Sequence, residues 1–121
     1  MLVSMLKIEP SPSNRRELLD ILHNVAGPTS SRPGCQACEI YEGAFDSQTV
    51  LYIEQWDSLA NLSLHIQSPL YARLLMAMDL ATSQPELKFI DSSGTYGMDL
   101  VESLRGPSPA APGKGAQAPA E

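Results

Sequence analysis

Residues able to do chemistry concentrate in one stretch, QTVLYIEQWDSLANLSLHIQSPLYARLLMAMDL, from Gln48 to Leu80. It reads as a strand ending in Glu54-Gln55-Trp56, then a broken helix carrying His65, Tyr71 and Arg73. The only Trp and one of the two His lie here. An imidazole titrates near neutrality, so His65 is the candidate base. Trp56 and Tyr52 offer flat aromatic surface to a ring-shaped ligand. Tyr71 and Arg73 are candidate hydrogen-bond donors, and Glu54 is the acidic neighbour at the strand end. Met5, Leu70, Leu74, Leu75 and Met78 are candidate apolar walls. A small-molecule site, if present, is expected to be built mostly from these side chains.

A second constellation is the C-x-x-C spelling PGCQAC, with Cys35 and Cys38. It is compatible with a redox pair or half a zinc site. A zinc site would need further ligands, and only His23 and His65 are available as histidines. A thioredoxin-like pair belongs at a helix N-terminus, whereas these cysteines open a predicted strand. Side chains alternate along a strand, so the two are expected on opposite faces, as small buried apolar residues. No metal or cofactor is expected.

The chain has 121 residues, enough for one domain with a modest core. Net charge is -6, with scattered acidic residues and only Arg15-Arg16 adjacent among the cations. That pattern offers no phosphate-binding stripe, so neither nucleic acid nor an anionic membrane surface is an expected partner. No apolar run approaches the roughly 18 residues of a membrane span. The opening MLVSMLKIEP lacks a basic segment followed by an apolar one, and a cytoplasmic location is expected.

The elements that must position these residues follow from periodicity. LVSMLKIE, residues 2 to 9, reads as a strand stopped by Pro10 and Pro12. A helix then opens at Ser13-Asn14, where Asn14 and Glu17 have capping-box spacing. Leu18, Ile21, Leu22 and Val25 give its apolar stripe, and Gly27-Pro28 is expected to end it. Strands follow over about Cys35 to Gly43 and Thr49 to Trp56. The latter is apolar on both faces, with Val50, Tyr52 and Trp56 against Leu51 and Ile53. One helical layer covers one face only, so a homodimer with sheets packed face to face is expected. Asp57-Ser58 is expected to cap the next helix, and Ser68 to be a second N-cap at the Gln67–Pro69 break, with Pro69 at the first helical position. ELKFID, residues 86 to 91, reads as the fourth strand.

The order β-α-β-β-α-β predicts an α+β, ferredoxin-like fold with a four-stranded antiparallel sheet. Residues 1–92 form the expected domain, and residues 93–105 an expected helical extension bracing the partner subunit. Residues 106–121, with four prolines and three glycines, are expected to be disordered.

Four pieces of this chain resemble the antibiotic biosynthesis monooxygenase (ABM) family of dimeric α+β barrels. They are MLKIEPSPSNRRELLDIL, RPGCQACEIYE, IEQWDSLANLSLHIQSPLYARLL and PELKFID. The most specific part is Glu54, Trp56, Ser58, His65, Ser68 and Tyr71. The resemblance implies a cofactor-independent monooxygenase of quinol- or phenol-like substrates and dioxygen. In such a reaction a base generates an electron-rich anion that reduces dioxygen directly, and His65 would be that base. The haem-degrading branch of the superfamily uses an Asn on its first strand and a His late in its second long helix. This chain has Ser4-Met5-Leu6 and Leu74 to Met78 at those places, so haem degradation is not expected. The alternative is a non-catalytic dimeric ligand-binding or stress-response module on the same fold. In that case His65 only ties down the strand end, Trp56 plugs the barrel, and Glu54 pairs with Arg73 or a helix N-terminus.

Overall fold

A computed structural model describes residues 1–45 and 47–106. Most of the tail expected to be disordered lies outside the described residues. The elements are β1 (Leu2–Ile8), α1 (Arg15–Ser30), β2 (Cys35–Glu42), β3 (Val50–Trp56), α2 (Leu59–Ile66), α3 (Pro69–Ala77), β4 (Glu86–Asp91), β5 (Gly94–Tyr96) and α4 (Met98–Arg105). A single 3-10 turn, Met78–Leu80, follows α3.

The sheet order is β2-β3-β1-β4-β5, with every pairing antiparallel. This is the expected α+β, ferredoxin-like arrangement with one strand more than expected. The extra strand, β5, pairs Phe89 with Tyr96 and Ile90 with Thr95. Asp91 makes that hairpin by accepting from the backbone N–H groups of Ser93 and Gly94 at 2.8 and 3.0 Å.

Alternation sorts the sheet into two faces. On β1 the buried set is Leu2, Ser4, Leu6 and Ile8; on β3 it is Val50, Tyr52, Glu54 and Trp56. Leu87 and Phe89 of β4 complete this face. The helices cover it with Leu18, Leu22, Val25, Leu62, Ile66, Leu74 and Ala77. The opposite face carries Val3, Met5, Leu51, Ile53 and Ile90, all half-buried and, among the described residues, outside the core that the helices build.

Three local features depart from expectation. First, α1 runs through Pro28 to Ser30 instead of stopping at Gly27. Pro28 removes one amide donor, but in the last turn that loss is small against the anchoring of Thr29, which is fully buried. Second, the capping box at Asn14 does not close, since the Asn14 side chain makes no cap bond. The Asn14 amide is instead held by Ser11 through its carbonyl at 3.0 Å and its hydroxyl at 3.2 Å. By contrast, Ser58 and Ser68 cap as expected, accepting from the amides of Asn61 (3.2 Å) and Tyr71 (3.3 Å).

Third, α4 starts only at Met98, and it packs on α2 of its own chain. Its Val101 is buried, and Leu100 and Leu104 pack against the core. The helix begins at Met98 because Tyr96 is taken into β5.

Candidate functional site

β3 is the element that sets the site. Its buried face presents Tyr52, Glu54 and Trp56 in succession beneath the helices. A charged residue in the middle of such a row must find partners, because an unpaired buried carboxylate is prohibitively costly. Glu54 finds two. Trp56 Nε1 donates to its Oε1 at 2.9 Å, and His65 Nε2 lies 3.1 Å from its Oε2. All three side chains are fully buried.

A carboxylate is acceptor-only, so both nitrogens donate to Glu54. His65 Nε2 then carries a proton, and Nδ1 is left as the free position of the ring. That Nδ1 is buried and has no hydrogen-bond partner. The ring is fixed on two further sides. Trp56 lies against it with centroids 4.9 Å apart, and Tyr71 meets it edge-on at 5.2 Å and 86°. The Tyr71 hydroxyl is likewise buried without a partner. Two orphaned polar atoms in one apolar cluster cost on the order of 1–3 kcal/mol each. Burial first, and Glu54 second, push the Tyr71 phenol well above its ordinary range, so it stays a donor at any ordinary pH.

Local sequence explains the placement. Ser58 caps α2 and aims it back across the end of β3. His65 occupies the last turn of α2 with Leu62 and Ile66, which bury the same side. The Ser68 hydroxyl donates to the His65 carbonyl at 2.6 Å while accepting from the Tyr71 amide, so one residue closes α2 and opens α3. The break between the helices therefore fixes His65 and Tyr71 relative to each other.

His65, Glu54, Trp56 and Tyr71 are thus brought together. Tyr52 lies on the same face, two residues down β3, and its hydroxyl accepts from Cys38 Sγ at 3.1 Å. Leu74 is buried in the same core. The remaining candidates fall elsewhere. Met5 points from the opposite face of the sheet, because it is out of phase with Ser4 and Leu6. Arg73 is exposed on α3 and does not reach Glu54. Met78 lines a groove of about 800 Å³ with Thr82, Pro85, Leu87, Lys88 and Met98, and none of the four clustered residues lines it.

Two neighbours of the cluster were not placed beside it from sequence. Ser4 on β1 and Cys38 on β2 stand directly across from Glu54 on either side. Ser4 was detectable in principle as the polar residue in phase with Leu2 and Leu6. Cys38 was not, because its face depends on a bulge. The register steps from Cys35↔Trp56 to Ala37↔Gln55, leaving Gln36 as the extra residue. Both cysteines therefore share the helix-facing side of the sheet, contrary to the opposite-face expectation. Burial pushes the Cys35 thiol up, and burial together with nearby Glu54 pushes Cys38 up to about 12 against the help of Tyr52.

The strand order and the helices that cover one face of the sheet define an α+β domain of the ferredoxin-like kind. The chain matches the family described as antibiotic biosynthesis monooxygenase (ABM) over residues 1–75, and it belongs to that family. Among curated proteins it is similar to the uncharacterized protein sll1783 of Synechocystis sp., at 27% identity over 82 residues, covering 67% of this chain. This chain spans about half, 56%, of that relative's length. Among solved structures it is similar to Rv0793 from Mycobacterium tuberculosis, at 24% identity and a TM-score of 0.68, covering 74% of this chain and 92% of that one. A structure of an antibiotic biosynthesis monooxygenase is similar at 19% identity and a TM-score of 0.67, covering 76% and 98%. These structural likenesses speak to the fold alone. No helix among the described residues is long and apolar enough to cross a membrane.

Proposed function

We propose that this chain is a monooxygenase of quinol- or phenol-like aromatic substrates that needs no resident cofactor, with His65 as its base. The observation that carries the reading is the enclosed Glu54–His65 pair. Its outer nitrogen, His65 Nδ1, is free and lies in the same cluster as the Tyr71 hydroxyl. Glu54 orients the imidazole and stabilises the charge it gains, leaving Nδ1 to accept a proton. Tyr71, held protonated, supplies a hydrogen bond to the oxyanion that results. Trp56 presents ring surface beside them.

The reaction balances with dioxygen as co-substrate. The substrate O–H proton passes to His65 Nδ1. The resulting anion gives one electron to dioxygen, and the radical pair combines at a ring carbon to form a C–O bond. The peroxide takes up the proton from His65. Its O–O bond then breaks as the ring carbon loses its hydrogen, giving a quinone and one water.

The reading includes a homodimer formed through the uncovered face with Val3, Met5, Leu51, Ile53 and Ile90, whose apolar character calls for cover. It also includes a cytoplasmic location and a division into an ABM unit over residues 1–92 with an appended helix over residues 93–105. Oxygen-electrode turnover of a quinol panel tests it. The expected result is substrate-dependent uptake that falls by about 10²–10⁴ in His65→Ala. No uptake above background, or an unchanged rate in that variant, rejects it.

One observation favours a second reading, a ligand-binding module without turnover. His65, Trp56 and Tyr71 are fully enclosed, and the groove of about 800 Å³ lies elsewhere, beside Met78 and Leu87. Saturable binding with no oxygen consumption would decide for it.

A further inference from the structure

The cluster around His65 is sealed, so a ligand reaches Nδ1 only if some element moves. The sheet and α1–α3 supply every buried core residue except Val101 and move together at high cost. α4 joins that core through Val101, with Leu100 and Leu104 packed against it. It has eight residues, and Val101 is the one that is buried. Gly97 precedes it and Gly106, at φ 93°, follows it, so small residues flank both ends.

Its polar attachment goes to one place. Arg105 Nη1 donates to the Ile66 carbonyl at 2.7 Å and to the Ser68 carbonyl at 3.0 Å. The Ile66 carbonyl belongs to the C-terminal end of α2, where the helix dipole favours a cation, and the Ser68 carbonyl to the N-cap of α3. Ile66 follows His65 directly. Ser68 is the residue whose hydroxyl grips the His65 carbonyl. A guanidinium from 37 to 39 residues further along the chain thus completes the turn that carries His65. The Arg105 charge opposes the upward push on the Tyr71 phenol. The family match ends at residue 75, so α4 and Arg105 lie outside the matched part while Ile66 and Ser68 lie within it.

We propose that α4 is a strap that closes the His65–Tyr71 cluster, with Arg105 as its latch on the α2–α3 break. Release of Arg105 lets α4 swing away and admits ligand to Nδ1. Relatching restores the position of His65 against Glu54. Arg105 is in this sense a positioning residue. The proposal rests on His65 being the working group of the site, but not on the reaction it performs.

The test is acylation of histidine by diethyl pyrocarbonate, read by peptide mass spectrometry on the full chain. His23 is exposed on α1 and serves as the internal reference. In the unaltered protein, His65 is expected to react far more slowly than His23. Arg105→Ala should raise the His65 rate about tenfold and leave His23 unchanged, by removing a charge-assisted pair of hydrogen bonds. Arg105→Lys, which still brings a cation to the carbonyls, should recover most of the protection. Should Arg105→Ala fail to fold, Val101→Ala, which trims only two methyl groups, carries the same expectation. The proposal is overturned if His65 reacts as fast as His23 in the unaltered protein, or if its rate is the same in all variants. It is equally overturned if the rise occurs only in step with amide exchange across β1 and β3. Latch-dependent acylation without oxygen uptake would retire the oxygenase reading and keep the strap. Oxygen uptake with latch-independent acylation would do the reverse.

Discussion

Replacing Glu54 by Gln separates the charge of the site from its shape. The amide is nearly isosteric with the carboxylate, and its oxygen can still accept from Trp56 Nε1 across the 2.9 Å contact. Its NH2 group then faces His65 Nε2 at the 3.1 Å contact. Two donors cannot face each other, so the imidazole must release the Nε2 proton and carry it on Nδ1. The basic nitrogen and the protonated nitrogen exchange places. Two charge-assisted bonds of about 1.5–3 kcal/mol each become neutral bonds of about 1 kcal/mol, so the expected loss is about 1–4 kcal/mol. Glu54→Ala leaves two buried N–H groups without acceptors and should cost more, about 3–5 kcal/mol. For a domain of this size each kcal/mol lowers the melting temperature by roughly 4–8 °C. Urea unfolding measures the two losses. Imidazole nitrogen NMR, with only two histidines to assign, reads the tautomer. Oxygen uptake in Glu54→Gln should fall with the loss of the Nδ1 base. Retention of the Nε2–H tautomer in Glu54→Gln, or equal stability of the Gln and Ala variants, would refute this account of the pair.

Two further outcomes follow from the same geometry. Cys38 is pushed from an ordinary 9.0 up to about 12 in the folded state, so folding favours its protonated form. Its stabilising contribution is complete below pH 9.0 and is lost as pH rises toward about 12, with Tyr52 and Tyr71 shifted in the same sense. Urea midpoints should therefore fall across that window, and iodoacetamide should label Cys38 slowly in the native protein at pH 8; fast native labelling would contradict the burial argument. On the uncovered sheet face, Ile53→Glu should dissociate the proposed dimer. A two-fold interface buries the new charge twice, weakening association by at least about 3 kcal/mol, or two orders of magnitude in Kd. Sedimentation at micromolar concentration checks this, and a monomeric parent protein would remove the premise.

Periodicity made most of the framework legible. Ser58, Ser68 and Pro69 carry local chemistry that only a helix start satisfies, so the α2–α3 break could be placed to the residue. Alternation along β3 put Val50, Tyr52 and Trp56 on one face, though it did not tell which of the two faces the helices cover. What could not be read are features set by tertiary partners. Pro28 stays helical because Thr29 is pulled into the core, and no local signal reports that. The β2 bulge at Gln36 has no sequence signature, so the shared face of Cys35 and Cys38 was hidden. Arg73 read as a site residue because it is a cation on the right helix, yet its side of α3 faces solvent. Arg105 carried no signal at all, since its carbonyl partners are backbone groups far away in sequence. His65 and Glu54 were both singled out, but their bond could be seen only once β3 and α2 were folded together.

The contact between Trp56 and His65 has a practical consequence. Trp56 is the only tryptophan in the chain, and it stacks at 4.9 Å on the imidazole while its N–H is tied to Glu54. An imidazolium quenches indole emission far more strongly than neutral imidazole does. The intrinsic fluorescence of this protein is therefore a single-channel reporter of its own site. A second proton on His65, or an aromatic ligand sliding against the indole, should appear in the emission with no label attached.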